Sequence, residues 1–576
     1  MAEATRNGSE ASRGISAEER RVIAASSAGT VFEWYDFYLY GALAPIIGAQ
    51  FFSAYTETQQ AIFALLTFAA GFLVRPFGAV VFGRLGDIVG RKYTFVMTVV
   101  LMGVATFAVG LLPGYETLGL AAPLALIGLR MLQGLAAGGE YGGAAIYVAE
   151  HAPPGKRGFF TSFVNTTSAL ALLLSLMVIL VTQLAIDASY PAITTSSGGT
   201  RTAFESWGWR IPFLLSIVLL AISLYIRLAM NESPAFLRIK EEGRISSAPL
   251  KEAFQDRRNL GTGLLALFGL VAGQAVVWYT AHFYTLFFMQ KSLKVDPFTV
   301  NVLLSWAIVI SVPFVVLFSR LSDRIGRKPV ILGGCALAAL TYFPLFDLLA
   351  RTANPALHRA QASVSITVVA DPRDCSFQFN PTGAAKFRTS CDIAKSALTA
   401  SSARYATEDA HVGTPATVRF RDGTVLSPSS DDFAKALTVK LVAEGYPGPA
   451  HPETVRIAVE PERGLANLWQ VFDIATVQKL TIIAIMVLMM LWAAMAYGPM
   501  AAALVELFPV HIRYTAVSLP YHIGNGWFGG LLPATAFAMV AASGDMYFGL
   551  WYPVVVAAAT AIIGWLWVPE TYRNTD

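Results

Sequence analysis

Charge is scarce in this sequence. Asp, Glu, Lys and Arg make up 14% of its 576 residues, against about 25% in ordinary soluble domains. With 55% apolar residues and a mean hydropathy of +0.54, too little polar surface remains to cover a soluble fold. Cysteine is nearly absent: Cys335 lies in an apolar run, Cys375 and Cys391 in a polar one, and no paired-cysteine metal spacing occurs, so no metal site is expected. There is no Gly-x-Ser-x-Gly elbow, no His-Glu-x-x-His pair and no Walker A loop, which argues against an enzyme and leaves no catalytic residue to name. The first residues carry Arg13, Arg20 and Arg21 but no short apolar core with a small-residue cleavage site, so a retained cytoplasmic tail over 1–21 is expected. A net charge of +4 gives no reason to expect a nucleic-acid partner.

What the sequence does have is apolar runs. Windows of about 20 residues, enough to cross roughly 30 Å of hydrocarbon at 1.5 Å per helical residue, are centred near 37, 71, 103, 135, 173, 220, 275, 308, 340, 486, 526 and 558. The expected fold class is an all-α membrane protein of twelve transmembrane helices. Arg84, Arg91, Lys92, Lys156, Arg157, the 238–258 stretch and Arg320, Arg324, Arg327 and Lys328 fall in alternate loops, whereas the short loops 53–58, 113–119 and 541–548 hold no Lys or Arg. Basic loops stay in the cytoplasm, so both termini are expected there.

The chain also repeats. Gly83-Arg84-Leu85-Gly86-Asp87-Ile88-Val89-Gly90-Arg91-Lys92 matches Ser319-Arg320-Leu321-Ser322-Asp323-Arg324-Ile325-Gly326-Arg327-Lys328, 236 residues later. Glu150, Pro153 and Arg157 match Glu506, Pro509 and Arg513 at an offset of 356, so 120 extra residues separate the ninth and tenth spans. The implied organisation is a six-helix half over 22–230, a cytoplasmic linker over 231–260, helices 7–9 over 261–351, an insertion over 352–473, and helices 10–12 with a tail over 474–576. The insertion is expected to be extracytoplasmic and α+β, with a strand over 363–369, a hairpin over 417–426 around Asp422-Gly423, and a helix capped by Asp431 that ends near Gly445. In an oxidising compartment Cys375 and Cys391 can pair or remain two thiols.

These residues resemble a known family. The duplicated Gly-x-x-x-Asp-x-x-Gly-Arg-Lys loop is similar to the signature of the major facilitator superfamily. Glu33-Trp34-Tyr35-Asp36-Phe37, Arg130-Met131-Leu132-Gln133-Gly134 with Gly138-Gly139-Glu140, Trp207-Gly208-Trp209-Arg210-Ile211-Pro212-Phe213, and Glu506-Leu507-Phe508-Pro509 with Arg513-Tyr514-Thr515 resemble its metabolite:H⁺ symporter, sugar-transporter-like branch. The resemblance implies a multi-pass protein of the plasma membrane, the inner membrane in a bacterium, that moves its solute by alternating access. It implies proton-coupled symport of a small organic acid (a di- or tricarboxylate, or shikimate) or a zwitterion such as proline or betaine, with protons as the coupling ion and no other cofactor. The expected partners are that solute and the lipid bilayer, around a monomer. An uncoupled facilitator, or a receptor that uses the insertion, are the alternatives. Two departures stand out: Ile88 replaces the usual basic residue of the first loop, where the second has Arg324, and better-known members of the branch lack the long insertion.

Charged groups inside spans are costly and mark function or fixed pairs. Glu33 and Asp36 share a helix face near the membrane midplane and are the candidate proton carriers, with Arg75 and Arg130 as available cations; a fixed pair with Arg75 is the structural alternative. Arg130 with Gln133 is the first candidate for grasping a substrate carboxylate. Glu140 either couples protons or braces Gly138-Gly139. Gln274, Trp278 and His282 form a stripe at i, i+4, i+8 beside Tyr279, and these four either touch substrate or anchor the helix at the interface. Asn525 is a weaker candidate, with Asn165, Asn301, Tyr521 and His522. In the duplicated loops Gly83, Asp87, Gly90, Arg91 and Lys92, and Asp323, Arg324, Gly326, Arg327 and Lys328, are expected to form gating latches, or else simply basic loops that set topology: Asp87 can pair with a base or accept from a helix N-terminus, and Arg91 and Lys92 would lie among lipid headgroups.

Overall fold

The structure is a computed structural model. It describes residues 17–572 except 56, 154, 195–199, 229–233, 243–248, 377–388, 431 and 449–450, and the side chains of 17–29, 32–33, 57–59, 61–62, 65, 91, 141, 200, 234–236, 239 and 461–462, those of Glu33, Arg91 and Tyr141 included, are also outside the description. The uninterrupted apolar runs fold as helices. The first is Ala17–Phe51, and among the described residues eleven helices after it are long and apolar enough to cross a membrane. In order, helices 2 to 6 are Leu66–Ile88, Lys92–Leu111, Ala121–His151, Arg157–Ser189 and Phe204–Leu228. Helices 7 to 12 are Arg257–Ser292, Pro297–Ile325, Arg327–Ala353, Val477–Leu507, Arg513–Ser543 and Phe548–Trp567.

Small residues set the closest approaches. A Cβ on Gly134 would lie 2.0 Å from the Gly71 carbonyl oxygen, and one on Gly78 would lie 2.0 Å from that of Leu135. Helices 2 and 4 therefore touch backbone to backbone, the device that apolar surroundings leave when hydrophobic burial cannot drive association. Helix 7 is wound in π turns at Leu267–Val271, Thr280–Tyr284 and Phe288–Ser292, and helix 11 at Gly524–Gly530. Such turns shift the side chains that follow them around the helix.

Between helices 9 and 10 lies a separate α+β body. Strands β1 (Ile193–Thr194) and β2 (Thr200–Arg201) form a small hairpin earlier in the chain, so its strands are β3 (Ile366–Ala370), β4 (Ala406–Asp409), β5 (Thr417–Phe420) and β6 (Val425–Leu426). The sheet runs β4-β3-β5-β6, with β3 parallel to β4 and antiparallel to β5. In β3 the buried residues alternate, Ile366, Val368 and Ala370 facing inward. The strand read over 363–369 begins at Ile366 because the preceding helix, Pro355–Ser363, continues to Ser363. The Asp422-Gly423 turn joins β5 to β6, where Gly423 has φ 86°. Asp422 accepts from the Thr424 amide and hydroxyl and from Lys440, with Lys440 the strongest influence, and these hold its carboxyl down at about 2. Asp431 lies outside the described residues, and the helix Phe433–Ala443 follows Asp432, whose side chain makes no capping bond.

Cys375 and Cys391 are joined by a disulfide, their Cα atoms 5.2 Å apart, which ties the end of β3's connection to the helix Ser390–Ala400. Closing a loop of this length stabilises by about 3 kcal/mol in the chain-entropy account. Non-reducing peptide mapping should recover the linked pair, and Cys375→Ser with Cys391→Ser should accelerate proteolysis within 364–460 roughly tenfold or more while leaving the helices intact. Unchanged cleavage would mean the bond adds no order.

Candidate functional site

The helical repeat that places Arg130 and Gln133 one turn apart points both at helix 1. Arg130 donates to Asp36 at 3.3 Å and to Gln133 at 2.8 Å, and the Gln133 amide donates to Asp36 at 3.0 Å and to Thr106 of helix 3 at 3.1 Å. All four residues are fully buried. Both Asp36 oxygens are thus occupied, by one cation and one neutral donor. The Arg130 guanidinium also lies 4.3 Å from the Tyr40 ring centroid. Glu33 lies on the same helix, and its side chain is outside the described residues.

Arg75 does not pair with Asp36, contrary to the structural alternative. Its guanidinium sits 3.8 Å from the Phe37 ring, 4.6 Å from Phe72 and 5.6 Å from Trp34, fully buried, and none of its three side-chain nitrogens has a hydrogen-bond partner among the described residues. Across from it, His522 of helix 11 feels the Arg75 charge, and neither ring nitrogen of His522 has a partner. Sequence reasoning had Arg75 only as a counter-ion and His522 only as a minor polar candidate. No sequence signal separates Arg75 from Arg130, because both are single arginines inside apolar helices.

From the second half, Gln274 and Asn525 face each other at 3.4 Å. The His282 ring stacks on Trp278 with centroids 4.4 Å apart, and its Nδ1 is 2.9 Å from the Trp278 carbonyl oxygen. Trp278 and His282 line a small cavity with Asn165, Ser168, Ser311 and Tyr497. The expected stripe therefore divides: Gln274 turns to helix 11, while Trp278 and His282 face helices 5, 8 and 10. Tyr279 instead packs edge-on to Phe72 at 5.7 Å. With Trp34 to Trp278 at 5.8 Å, Tyr38 to Trp278 at 6.0 Å and Tyr38 to Phe283 at 5.3 Å, aromatic rings close the seam between the halves on the side away from the basic loops. Asn165 crosses the same seam and donates to the Tyr497 and Gly498 carbonyls, each at 2.9 Å.

The duplicated loops close the other side reciprocally. Asp87 accepts from the Tyr514 amide at 3.3 Å and from the Thr515 amide and hydroxyl at 3.0 and 2.7 Å, at the start of helix 11. Asp323 accepts from the Gly158 and Phe159 amides at 2.9 and 2.8 Å, at the start of helix 5. Each carboxylate captures free N–H groups at the positive end of a helix in the other half. Arg513 adds a cross-half pair with Glu150 at 3.2 Å. Gly90 and Gly326 stand before the next helices with φ 128° and 109°, a conformation that favours glycine. Gly83 leaves room for Thr515, whose Cα would be 3.2 Å from an added Cβ.

Arg327 holds Asp323 at 2.6 Å and Glu506 at 3.0 Å, while Arg324 is exposed, so the Ile88/Arg324 difference does not alter the aspartate contacts. Lys92 donates to the Leu228 carbonyl at the end of helix 6. Lys328 does the same for Val568 beyond helix 12. Arg91's side chain is outside the described residues. Glu140 is ion-paired with Arg227 of helix 6, an arginine that the sequence reading missed and that also covers the Phe95 ring at 3.6 Å.

Comparisons with known proteins agree with this architecture. The family profile described as "Sugar (and other) transporter" matches residues 22–260. The proline/betaine transporter of Escherichia coli (strain K12) is 36% identical over 338 residues, 57% of this chain and 65% of that protein. The shikimate transporter of the same strain is 35% identical over 334 residues, 57% of this chain and 72% of that protein. The chain thus spans just under two thirds of the first curated relatives it matches, the proline/betaine group at 64–65%. Among solved structures, the proton:xylose symporter XylE bound to 6-bromo-6-deoxy-D-glucose superposes with a TM-score of 0.58 at 15% identity, covering 97% of each chain, a likeness of fold.

Hydrogen bonds to a charged group are worth about 1.5–3 kcal/mol each. Asp87→Asn should therefore raise amide hydrogen exchange at 513–516 tenfold or more, and Asp323→Asn should do so at 157–160. Exchange rates equal to wild type would show that these carboxylates do not hold the halves together.

Proposed function

Because the chain belongs to the major facilitator superfamily, in its sugar-transporter-like family, we propose that it is a secondary active transporter that couples a proton to a small solute bearing one carboxylate, a zwitterionic osmolyte or a shikimate-like acid, by alternating access. The observation that carries this reading is Arg75, a buried cation without a hydrogen-bonding partner at the seam between the halves. A buried guanidinium needs an anion, and a bound carboxylate supplies one in two parallel hydrogen bonds. Arg130 is already balanced by Asp36, and Arg227 by Glu140. A second carboxylate on the solute would find no comparable cation among the described residues. The faces of Trp34, Tyr38 and Trp278 beside Arg75 suit an alkylated ammonium or an apolar ring. Proline, betaine and shikimate, the solutes named for the relatives, each carry one carboxylate. In this reading the anchor moves from Arg130 to Arg75, and Arg130 becomes the counter-ion that Asp36 exchanges for a proton.

Coupling follows from electrostatics. Arg75 contributes to the positive field at Asp36. A carboxylate bound to Arg75 cancels part of that field, so Asp36 takes a proton more readily, and by linkage a protonated Asp36 favours the carboxylate. The reciprocal loop contacts would stabilise the arrangement closed towards the basic loops. By the charge of those loops, both termini would be cytoplasmic, the insertion would lie outside, and the protein would sit as a monomer in the plasma membrane.

Proteoliposome uptake with and without a pH gradient tests this. Betaine, proline or shikimate should accumulate with the gradient, and citrate and 2-oxoglutarate should not compete. Arg75→Lys, which keeps the charge and loses the planar fork, should weaken binding about tenfold, and Arg75→Ala should abolish it without loss of folding, since the charge it removes is unpaired. Asp36→Asn should retain solute exchange and lose gradient-driven accumulation; accumulation equal to wild type would favour an uncoupled facilitator. Native affinity in folded Arg75→Ala would place the anchor elsewhere.

A further inference from the structure

The insertion ends in a 3₁₀ segment, Pro461–Phe472, broken at Gly464, where φ is 47° and ψ −126°. Asn467 braces the break, accepting from the Glu460 amide at 3.1 Å and donating to the Glu460 and Gly464 carbonyls at 2.7 and 3.1 Å. One edge of the segment faces protein. Gly464 sits so close to the end of helix 5 that an added Cβ would lie 2.6 Å from the Cβ of Ala188, and the Val471 carbonyl accepts from the Trp306 indole of helix 8 at 2.7 Å. The first contact is with the first half of the molecule and the second with the other half.

The opposite edge faces outward and is apolar. Leu465, Trp469 and Phe472 are exposed, Trp469 by 77%, and Val477, 82% exposed, starts helix 10 immediately after. These residues stand where helix 5 ends and helix 10 begins. Tyr190 and Trp207, also exposed and in ring contact at 5.2 Å, lie just beyond the same end of helix 5. Exposed aromatics around helix ends mark the layer where hydrocarbon gives way to headgroups. A short segment with one polar, protein-bound edge and one edge of Leu, Trp and Phe has the character of an interfacial element.

We propose that residues 464–477 form a strap seated in the lipid interface on the face opposite the basic loops, and that it clasps the seam between helices 5 and 8. Its occupant is the headgroup and upper acyl layer of the bilayer, and opening of the protein on that face requires Gly464 to leave Ala188. The strap uses no solute, so it stands or falls apart from the transport reading.

Two measurements on the full-length protein in vesicles test it. Trp469→Phe isolates the Trp469 emission by difference; lipid brominated near the top of the acyl chain should quench that difference at least twofold more than lipid brominated near its end. Quenching by aqueous iodide with no effect of either lipid would overturn the lipid seat. Spin labels at Ser189→Cys and Val477→Cys, both exposed, report the seam. Ala188→Trp, a wedge at an exposed position, and Asn467→Ala, which frees the break, should each at least double the population of longer distances. Distance distributions identical to wild type in both variants would overturn the clasp.

Discussion

A carboxylate held inside a helical bundle has no water to fall back on, and where four aspartates and glutamates find their donors explains much of this molecule. Asp36 and Glu140 find guanidinium groups on neighbouring helices of their own half. Asp87 and Asp323 instead find backbone amides that only a helix start offers, and those starts belong to the opposite half. The first arrangement survives any rigid movement of the halves. The second exists only while they are together on the basic-loop side, so the same chemical need serves as packing in one place and as a conformational contact in the other.

The two faces are closed by different physics. On the basic-loop side the contacts are directional and charged, worth about 1.5–3 kcal/mol apiece. On the other side they are ring against ring, Trp34, Tyr38 and Phe72 with Trp278, Phe283 and Tyr279, and aromatic pairs contribute about 0.5–1.5 kcal/mol each beyond burial. Aromatic contacts tolerate sliding and re-pairing with a bound solute, whereas a carboxylate at a helix start does not. In the proposed reading, the side that recognises the solute is built from the adaptable interaction.

The twelve helices and the duplicated loops were legible because they are local properties: apolar length, and a ten-residue pattern that occurs twice. The shared faces of Asp36, Arg130 and Gln133 followed from helix geometry, with Glu33 beyond the description. Which arginine stays unpartnered was not legible, since that depends on how helix 2 is rotated against helix 1. Likewise an aspartate near a helix start was foreseeable in kind, but its partners at 514 and 515 lie more than 400 residues away. The carbonyl that Lys92 meets at the end of helix 6 was not legible either, since it lies 136 residues further along the chain. Residues 461–472 were submerged in a stretch read only as polar; the spacing of Leu465, Trp469 and Phe472, four and then three apart, was the available signal.

The insertion changes the symmetry argument. Two similar halves joined by equivalent loops would meet on equivalent terms at both faces, yet the added body is hydrogen-bonded to the second half, through Val455 to Ala353, Ile457 to Thr299 and Tyr405 to Gly544. A domain that rode on one half without touching the other would leave the seam as it was. Gly464 against Ala188 is what makes it otherwise, because separating helices 5 and 8 at that end then has to break a packed contact that the basic-loop face does not contain. The position permits only a residue that tolerates φ 47° and ψ −126° and has no Cβ, so the contact depends on one glycine.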